Sequence, residues 1–179
     1  MPDAFEWRLR GRCYKLGHNV PHPDGVIPAR FVTARETDPA VLVPHLFEET
    51  DPGFSTRSRP GDIIVTGKNF GMGPKGCGYI AMQALGLGLL CESMSAQAHR
   101  EAVGVGLRVL SPCDDLLSLC ETDDDLEVDF RSGRFYNHTQ QIERFFPPLP
   151  EALLDIVRLG GNFGWLADWQ TSQQQVQPS

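Results

Sequence analysis

Apolar residues fall along the chain in two rhythms. Three short runs, DIIVTG at 62–67, LGLLCES at 87–93 and LRVLSP at 107–112, are nearly continuous in apolar residues, as strands buried on both faces are. Residues 76–86 and 95–106, between them, read as helices. Strand, helix, strand, helix, strand in that order predicts parallel pairing with helices on the faces. Before this core, residues 5–16 read as a strand, and GHNVPHPDGVIPAR as a loop because Pro21, Pro23 and Pro28 oppose regular helix. DPAVLVPHLFEE at 38–49 predicts a short helix with Asp38 as N-cap and Pro39 at its first position. After the core, DLEVDFRSGRFYNHTQQIERF alternates around Ser132 and Gly133, a hairpin signal. LPEALLDIVRLGG is an apolar-periodic helix opened by Pro150 and stopped by Gly160 and Gly161. The polar tail QTSQQQVQPS, 170–179, is expected to be disordered, leaving one mixed α/β domain over residues 1–169.

Composition narrows the partners. The chain has 179 residues, 41% hydrophobic and 22% charged, which suits one well-packed domain. No apolar run approaches the ~20 residues of a membrane span. The opening MPDAFEWRLRGRCYKLG lacks the apolar core of a secretory signal, so a cytoplasmic protein is expected. A net charge of -7 argues against general nucleic-acid binding and leaves small molecules or proteins as partners. The five cysteines form no C-x-x-C pair, so no metal site within this chain is expected and the thiols read as reduced and buried. Cys77 stands apart because it lies in a glycine-rich loop.

That loop carries the candidate chemistry. In GDIIVTGKNFGMGPKGCGYIAMQALGLG, 61–88, a strand hands over to a helix through glycines, and a helix start offers unpaired N–H groups and partial positive charge to a carboxylate or phosphate. Lys75 adds a full charge. The order of a Walker loop is absent and so is the dinucleotide fingerprint. The competing reading is a tight turn whose glycines only permit close packing. His18, His22 and Asp24 could form a metal site, while the three nearby prolines favour a polar rim. DDLLSLCETDDD reads as a solvated turn before the hairpin.

GDIIVTGKNFGMG resembles the stretch leading into the active-site loop of the small subunit of isopropylmalate dehydratase, the swivel domain of the aconitase superfamily. GHNVPHPDGVIPARF is similar to that family's G-D-N-[IV]-D-T-D-x-I-I-P-[AG]-[RK]-[YF], with one extra residue. DPAVLVPHLFEETDPGF resembles its next helix, GVGLRVL a later strand, and DLEVDF with LPEALLDIVRLGG the closing hairpin and helix. The resemblance implies a swivelling β/β/α domain of the aconitase type, a mixed sheet or barrel flanked by helices. It implies a hydro-lyase subunit with no cofactor of its own, joined in a heterodimer or heterotetramer to a large subunit that holds a [4Fe-4S] cluster. A small carboxylate substrate would sit where the two meet.

The departures from the family fall around one expected pocket. Pro74, Lys75 and Gly76 stand where the family has Ser-Ser-Arg, in a loop one residue shorter, so the serine base is missing and Lys75 would take the place of the arginine clamp. In SMSAQAHREAVGVG, Ala96, Glu101 and Gly104 replace polar or basic family positions, and His18 replaces the first loop's Asp. The resemblance thus points to Lys75 and Cys77 as catalytic, with Tyr79 and His99 as further replacements for the base. It points to Asn69, Gly71, Gly73, Lys75, Arg30, Val32, Thr33 and Arg35 as substrate-binding. Val32 and Thr33 suit an apolar substituent, and Arg35 an extra carboxylate; the same stretch also reads as a strand end packed on the next helix. Two functions follow: a diverged hydro-lyase subunit, or a non-catalytic subunit that stabilises or regulates such a complex.

Overall fold

The structure is a computed structural model that describes residues 5–73 and 76–176. Its elements run β1 (Arg8–Lys15), α1 (Ala29–Ala34), α2 (Pro39–Leu42), a 3-10 turn (Val43–His45), α3 (Phe54–Arg57), β2 (Ile63–Thr66), α4 (Cys77–Ala84), β3 (Gly88–Cys91), α5 (Ala96–Gly104), β4 (Arg108–Leu110), a second 3-10 turn (Leu116–Ser118), β5 (Asp125–Asp129), β6 (Arg134–Asn137), β7 (Ile142–Phe145), α6 (Glu151–Arg158) and α7 (Asn162–Val176).

Seven strands form one mixed sheet in the order β4-β3-β2-β1-β5-β6-β7. The β1–β4 half is parallel, with Cys13 beside Ile63, Ile63 beside Gly88 and Gly88 beside Arg108. The β1–β5–β6–β7 half is antiparallel, with Arg8 opposite Asp129 and Leu126 opposite Asn137. The apolar runs read from the sequence become the central parallel strands, fully buried because both their faces are covered. Ile64, Leu89 and Val109 point to one core with Tyr79, Met82, Ala98 and Val157 of the helices. Ile63, Val65, Leu90 and Leu110 point to the other, where they meet Leu126, Val128 and Phe135 of the antiparallel half. Strands β5 and β6 therefore curl over the far face of β2–β4, giving the half-barrel that the resemblance implied.

Several elements differ from the sequence reading, each for a local reason. Pro28 does not prevent a helix at 29–34; it precedes α1 as its N-cap, where no backbone N–H is required. The helix expected over 38–49 ends at Leu42 and tightens into a 3-10 turn, because Pro44 has no N–H to continue the ladder. The single hairpin is a three-stranded meander: β7 pairs with β6 through a second turn at 138–141. The acidic turn is not wholly solvated, since Asp124 is buried and its Oδ2 accepts hydrogen bonds from Asn137 Nδ2 (2.7 Å) and Gln140 Nε2 (2.6 Å). Residues 170–176, expected without structure, continue α7, where Thr171 and Ser172 hydroxyls donate to the carbonyls of Ala167 and Asp168 at 3.0 Å. No helix among the described residues is long and apolar enough to cross a membrane.

Candidate active site at the strand ends

Beyond the carboxyl ends of β1, β2 and β3 the chain keeps the sheet's pairing without its regular geometry, which is where open parallel sheets hold ligands. The loop after β1 zips to the glycine loop after β2: Asn19 N–H donates to Lys68 O, Gly71 N–H to Val20 O and His22 N–H to Met72 O, all at 2.8 Å. The glycine loop in turn lies on the segment after β3, with Phe70 N–H on Ser93 O and Asn69 N–H on Ser93 Oγ, both at 3.0 Å. Asn19 and Asn69 both take the left-handed conformation, which asparagine tolerates, and their side chains join through Nδ2–H···Oδ1 at 2.9 Å.

Two close approaches explain glycines of this loop. A Cβ on Gly71, whose φ is +72°, would lie 2.3 Å from the Tyr79 hydroxyl. A Cβ on Gly78 would lie 2.6 Å from Val26 Cγ1 and 2.9 Å from the His22 ring. Tyr79 is wholly buried beneath the loop, and its hydroxyl has no hydrogen-bond partner among the described residues. Burial, reinforced by Cys91 and Glu101, drives its pKa far upward, so it remains a phenol. The sequence reading placed His22 on a polar rim; it is instead fully buried, edge-on to Tyr79 at 4.8 Å. Its Nε2 accepts the N–H of Gly78 at 3.1 Å, satisfying a donor in the first turn of α4.

The residues singled out in the sequence divide into groups. Cys77, Val32 and Arg35 line a cavity of about 150 Å³ with Glu36, Thr37, Gly76 and Ile80, so α1 and the start of α4 do meet. Thr33 is exposed on α1 and is not among those lining residues. Arg30 is already engaged: its Nη2 donates to Glu48 Oε2 at 3.1 Å, and its guanidinium stacks on Phe31 at 4.6 Å. Gly73 is exposed at the loop's crest with a φ of +87°. Lys75 lies outside the described residues.

Cys77 is buried, and burial raises its thiol pKa while the N–H groups of Cys77 and Gly78 oppose the shift. A thiol with a raised pKa carries its proton at neutral pH, which suits a donor or a lining group and not a base. Iodoacetamide at pH 7.5 is accordingly expected to modify Cys77 in the folded chain more slowly than free cysteine, by peptide mass spectrometry. Modification at the free-cysteine rate would contradict this. His99 differs: burial lowers its pKa, so its ring is neutral and able to accept a proton at pH 7.

The fold also brings in Lys68, Glu92 and Ser93, which sequence reading passed over. With His18, Asp114 and Asp115 they line a cleft of about 780 Å³. His18 Nδ1 accepts the Lys68 N–H at 2.8 Å and stands 3.9 Å from Glu92 Oε2. The signal for Lys68 was its place directly after the DIIVTG strand, inside the glycine motif. Among the described residues, no group of three or more His, Cys, Asp or Glu side chains is placed to hold a metal ion, and all five cysteines are buried and unbridged.

No protein-family model matches the chain. It is 36% identical over 156 residues to 3-isopropylmalate dehydratase small subunit 2 of Archaeoglobus fulgidus, covering 86% of this chain and 92% of that one. It is 34% identical over 156 residues to the 3-isopropylmalate dehydratase small subunit of Halothermothrix orenii, with the same coverage. The isopropylmalate/citramalate isomerase small subunit of Methanocaldococcus jannaschii is 33% identical over 161 residues, 88% of this chain and 93% of that one. The crystal structure of 3-isopropylmalate dehydratase from Methanocaldococcus jannaschii superposes with a TM-score of 0.82 at 25% identity, over 94% of this chain and 98% of that one. Likeness of this extent, running through the sheet and the strand-end loops together, makes the chain a member of the 3-isopropylmalate dehydratase small-subunit family.

Proposed function

We propose that the chain is the small subunit of a cytoplasmic hydro-lyase that adds and removes water on a hydroxy-acid of the isopropylmalate class. It works with a large subunit, as a heterodimer or heterotetramer. Family membership carries this reading, because the relatives named for that reaction align with nearly the whole chain. The described residues offer no fitting ligand set for the [4Fe-4S] cluster, which in this reading belongs to the large subunit.

This chain's part is to bind and orient the acid and to move a proton. Asn69, held by Asn19, and the side-chain-free Gly71 and Gly73 form a floor that backbone and substrate approach closely. Lys75 supplies the charge that meets a substrate carboxylate. Val32, with Arg35 and the protonated Cys77 at the 150 Å³ cavity, faces the substrate's variable group, and Thr33 adjoins it from the exposed side of α1. Arg30 adds a second cation for the acid, its Nη2 oriented by Glu48 Oε2 at 3.1 Å. Among the candidate bases, His99 has the protonation state the role requires.

The test is co-purification with the large subunit under anaerobic conditions, followed by dehydration of 3-isopropylmalate read from the absorbance of the unsaturated acid. Turnover is expected. Lys75→Ala is expected to raise KM roughly ten- to a hundredfold, the worth of a hydrogen bond to a charged group, with little change in melting temperature. A stable, cluster-loaded complex without turnover overturns the reading.

A further inference from the structure

Helix α5 starts just beyond β3, and its first turns face a cavity of about 410 Å³ lined by Ser93, Met94, Ala96, His99, Arg100, Ser111 and Pro112. Ala96, His99 and Arg100 are spaced i, i+3, i+4, so they share one face of the helix, while Ala98 and Ala102 turn into the core. Among the described residues no acidic side chain lines the cavity, although the chain as a whole carries 23 Asp and Glu against 16 Lys and Arg. Arg10, Arg12, Arg57 and Arg134 each sit on a carboxylate, whereas Arg100 enters no ion pair among the described residues. Its five donors are therefore uncommitted. Ala96, one turn earlier on the same face, contributes only a methyl group to that wall.

The cavity is joined to the glycine loop. Ser93 lines both this cavity and the cleft that holds Lys68, as does Pro112, and the Ser93 hydroxyl already accepts the N–H of Asn69. Ser93 thus links the cleft where Lys68 lies with Glu92, Asp114 and Asp115 to the cavity where Arg100 meets no acid among the described residues.

We infer that this cavity is a carboxylate subsite, in which the Arg100 guanidinium grips one carboxylate of the substrate bidentately while a second carboxylate is held at the glycine loop. The identity of the substrate rests on the hydro-lyase reading; the subsite itself rests on the cavity, its uncommitted arginine and the absence of acids lining it. The ligand class is a small dicarboxylate, because two separated cationic points select two separated anionic groups. His99 shares the wall with Arg100, which places a proton acceptor beside the gripped group.

The isotope-labelled full chain is titrated with 3-isopropylmalate and followed by NMR. Saturable shifts of the Arg100 Nε–H and of the Ser93 and His99 amides are expected. Arg100→Gln should weaken binding roughly ten- to a hundredfold, with an unchanged melting temperature because the position is exposed and glutamine is a good helix former. Arg100→Lys should recover only part of the loss, keeping the charge without the fork. Shifts confined to other residues, or equal affinity in Arg100→Gln, overturn the subsite. Kinetics of the assembled complex separate the two readings. Normal turnover with an unchanged KM in Arg100→Gln sinks the subsite and spares the hydro-lyase. Arg100-dependent binding to the chain, with no turnover by the complex, does the reverse.

Discussion

Tyr79→Ala should lower the stability of the chain by about 3–5 kcal/mol, the range for deleting a large buried ring. At this chain length that corresponds to roughly 6–20 °C in melting temperature. The ring is fully buried in the helical core, edge-on to His22 at 4.8 Å and 6.5 Å from Phe70, so its removal leaves a void directly under the glycine loop. Tyr79→Phe should behave in the opposite way. Its hydroxyl is buried without a partner among the described residues, and removing an unsatisfied polar atom without changing the ring is neutral or mildly stabilising. Thermal or chemical unfolding of the two variants checks both expectations. A loss above about 2 kcal/mol in Tyr79→Phe would show that the hydroxyl makes a hydrogen bond the structure does not contain.

Gly71→Ala is expected to cost about 2–5 kcal/mol, through two separable effects. A φ of +72° is unfavourable for any residue with a Cβ, by about 1–2 kcal/mol, and the new methyl meets the Tyr79 oxygen at 2.3 Å, a contact of the kind that costs about 1–3 kcal/mol in overpacked cores. In a Tyr79→Phe background that oxygen is gone, and the nearest remaining atoms are Tyr79 Cζ at 3.6 Å and Ala98 Cβ at 3.8 Å, both ordinary contacts. The double variant should therefore recover the clash and keep only the backbone penalty, a coupling of about 1–3 kcal/mol in a double-mutant cycle. Additive losses would mean that the loop moves away from Tyr79 rather than resting on it. The cycle bears on function too, since the same contact sets the height of the glycine loop over α4.

These two residues illustrate what the chain's order of residues did and did not disclose. Gly71 was legible as a loop glycine with a demand on it, and Tyr79 as a residue near the site. That the ring lies under the loop and supplies the demand was not legible, because eight residues of sequence hold no information on which way a turn folds back. His22 makes the same point. It was read as part of a polar rim and became a buried acceptor for Gly78 N–H, and only the packing of the first loop on α4 makes that partner available.

Local pattern determined the elements whose character depends on near neighbours. β2, β3 and β4 were visible as apolar runs, because strands buried on both faces need nearly every side chain apolar. α6 was visible from its 3.6-residue period, and α2 from its Asp–Pro start, with the Asp38 side chain accepting the Ala40 N–H as read. The second hairpin turn was hidden because it contains no glycine; Gln141 takes its left-handed position at a φ of +58°. The sheet order was decided by tertiary structure alone. β1 pairs in parallel with β2 and antiparallel with β5, joining Arg8 to Asp129 across more than a hundred residues, and no local rhythm encodes a partner that distant. Tertiary packing likewise sets Val32 beside Cys77 across more than forty residues. A motif in the sequence fixes which residues can do chemistry. Which of them have their charges left uncommitted depends on what folds against them, and that is a property of the assembled fold.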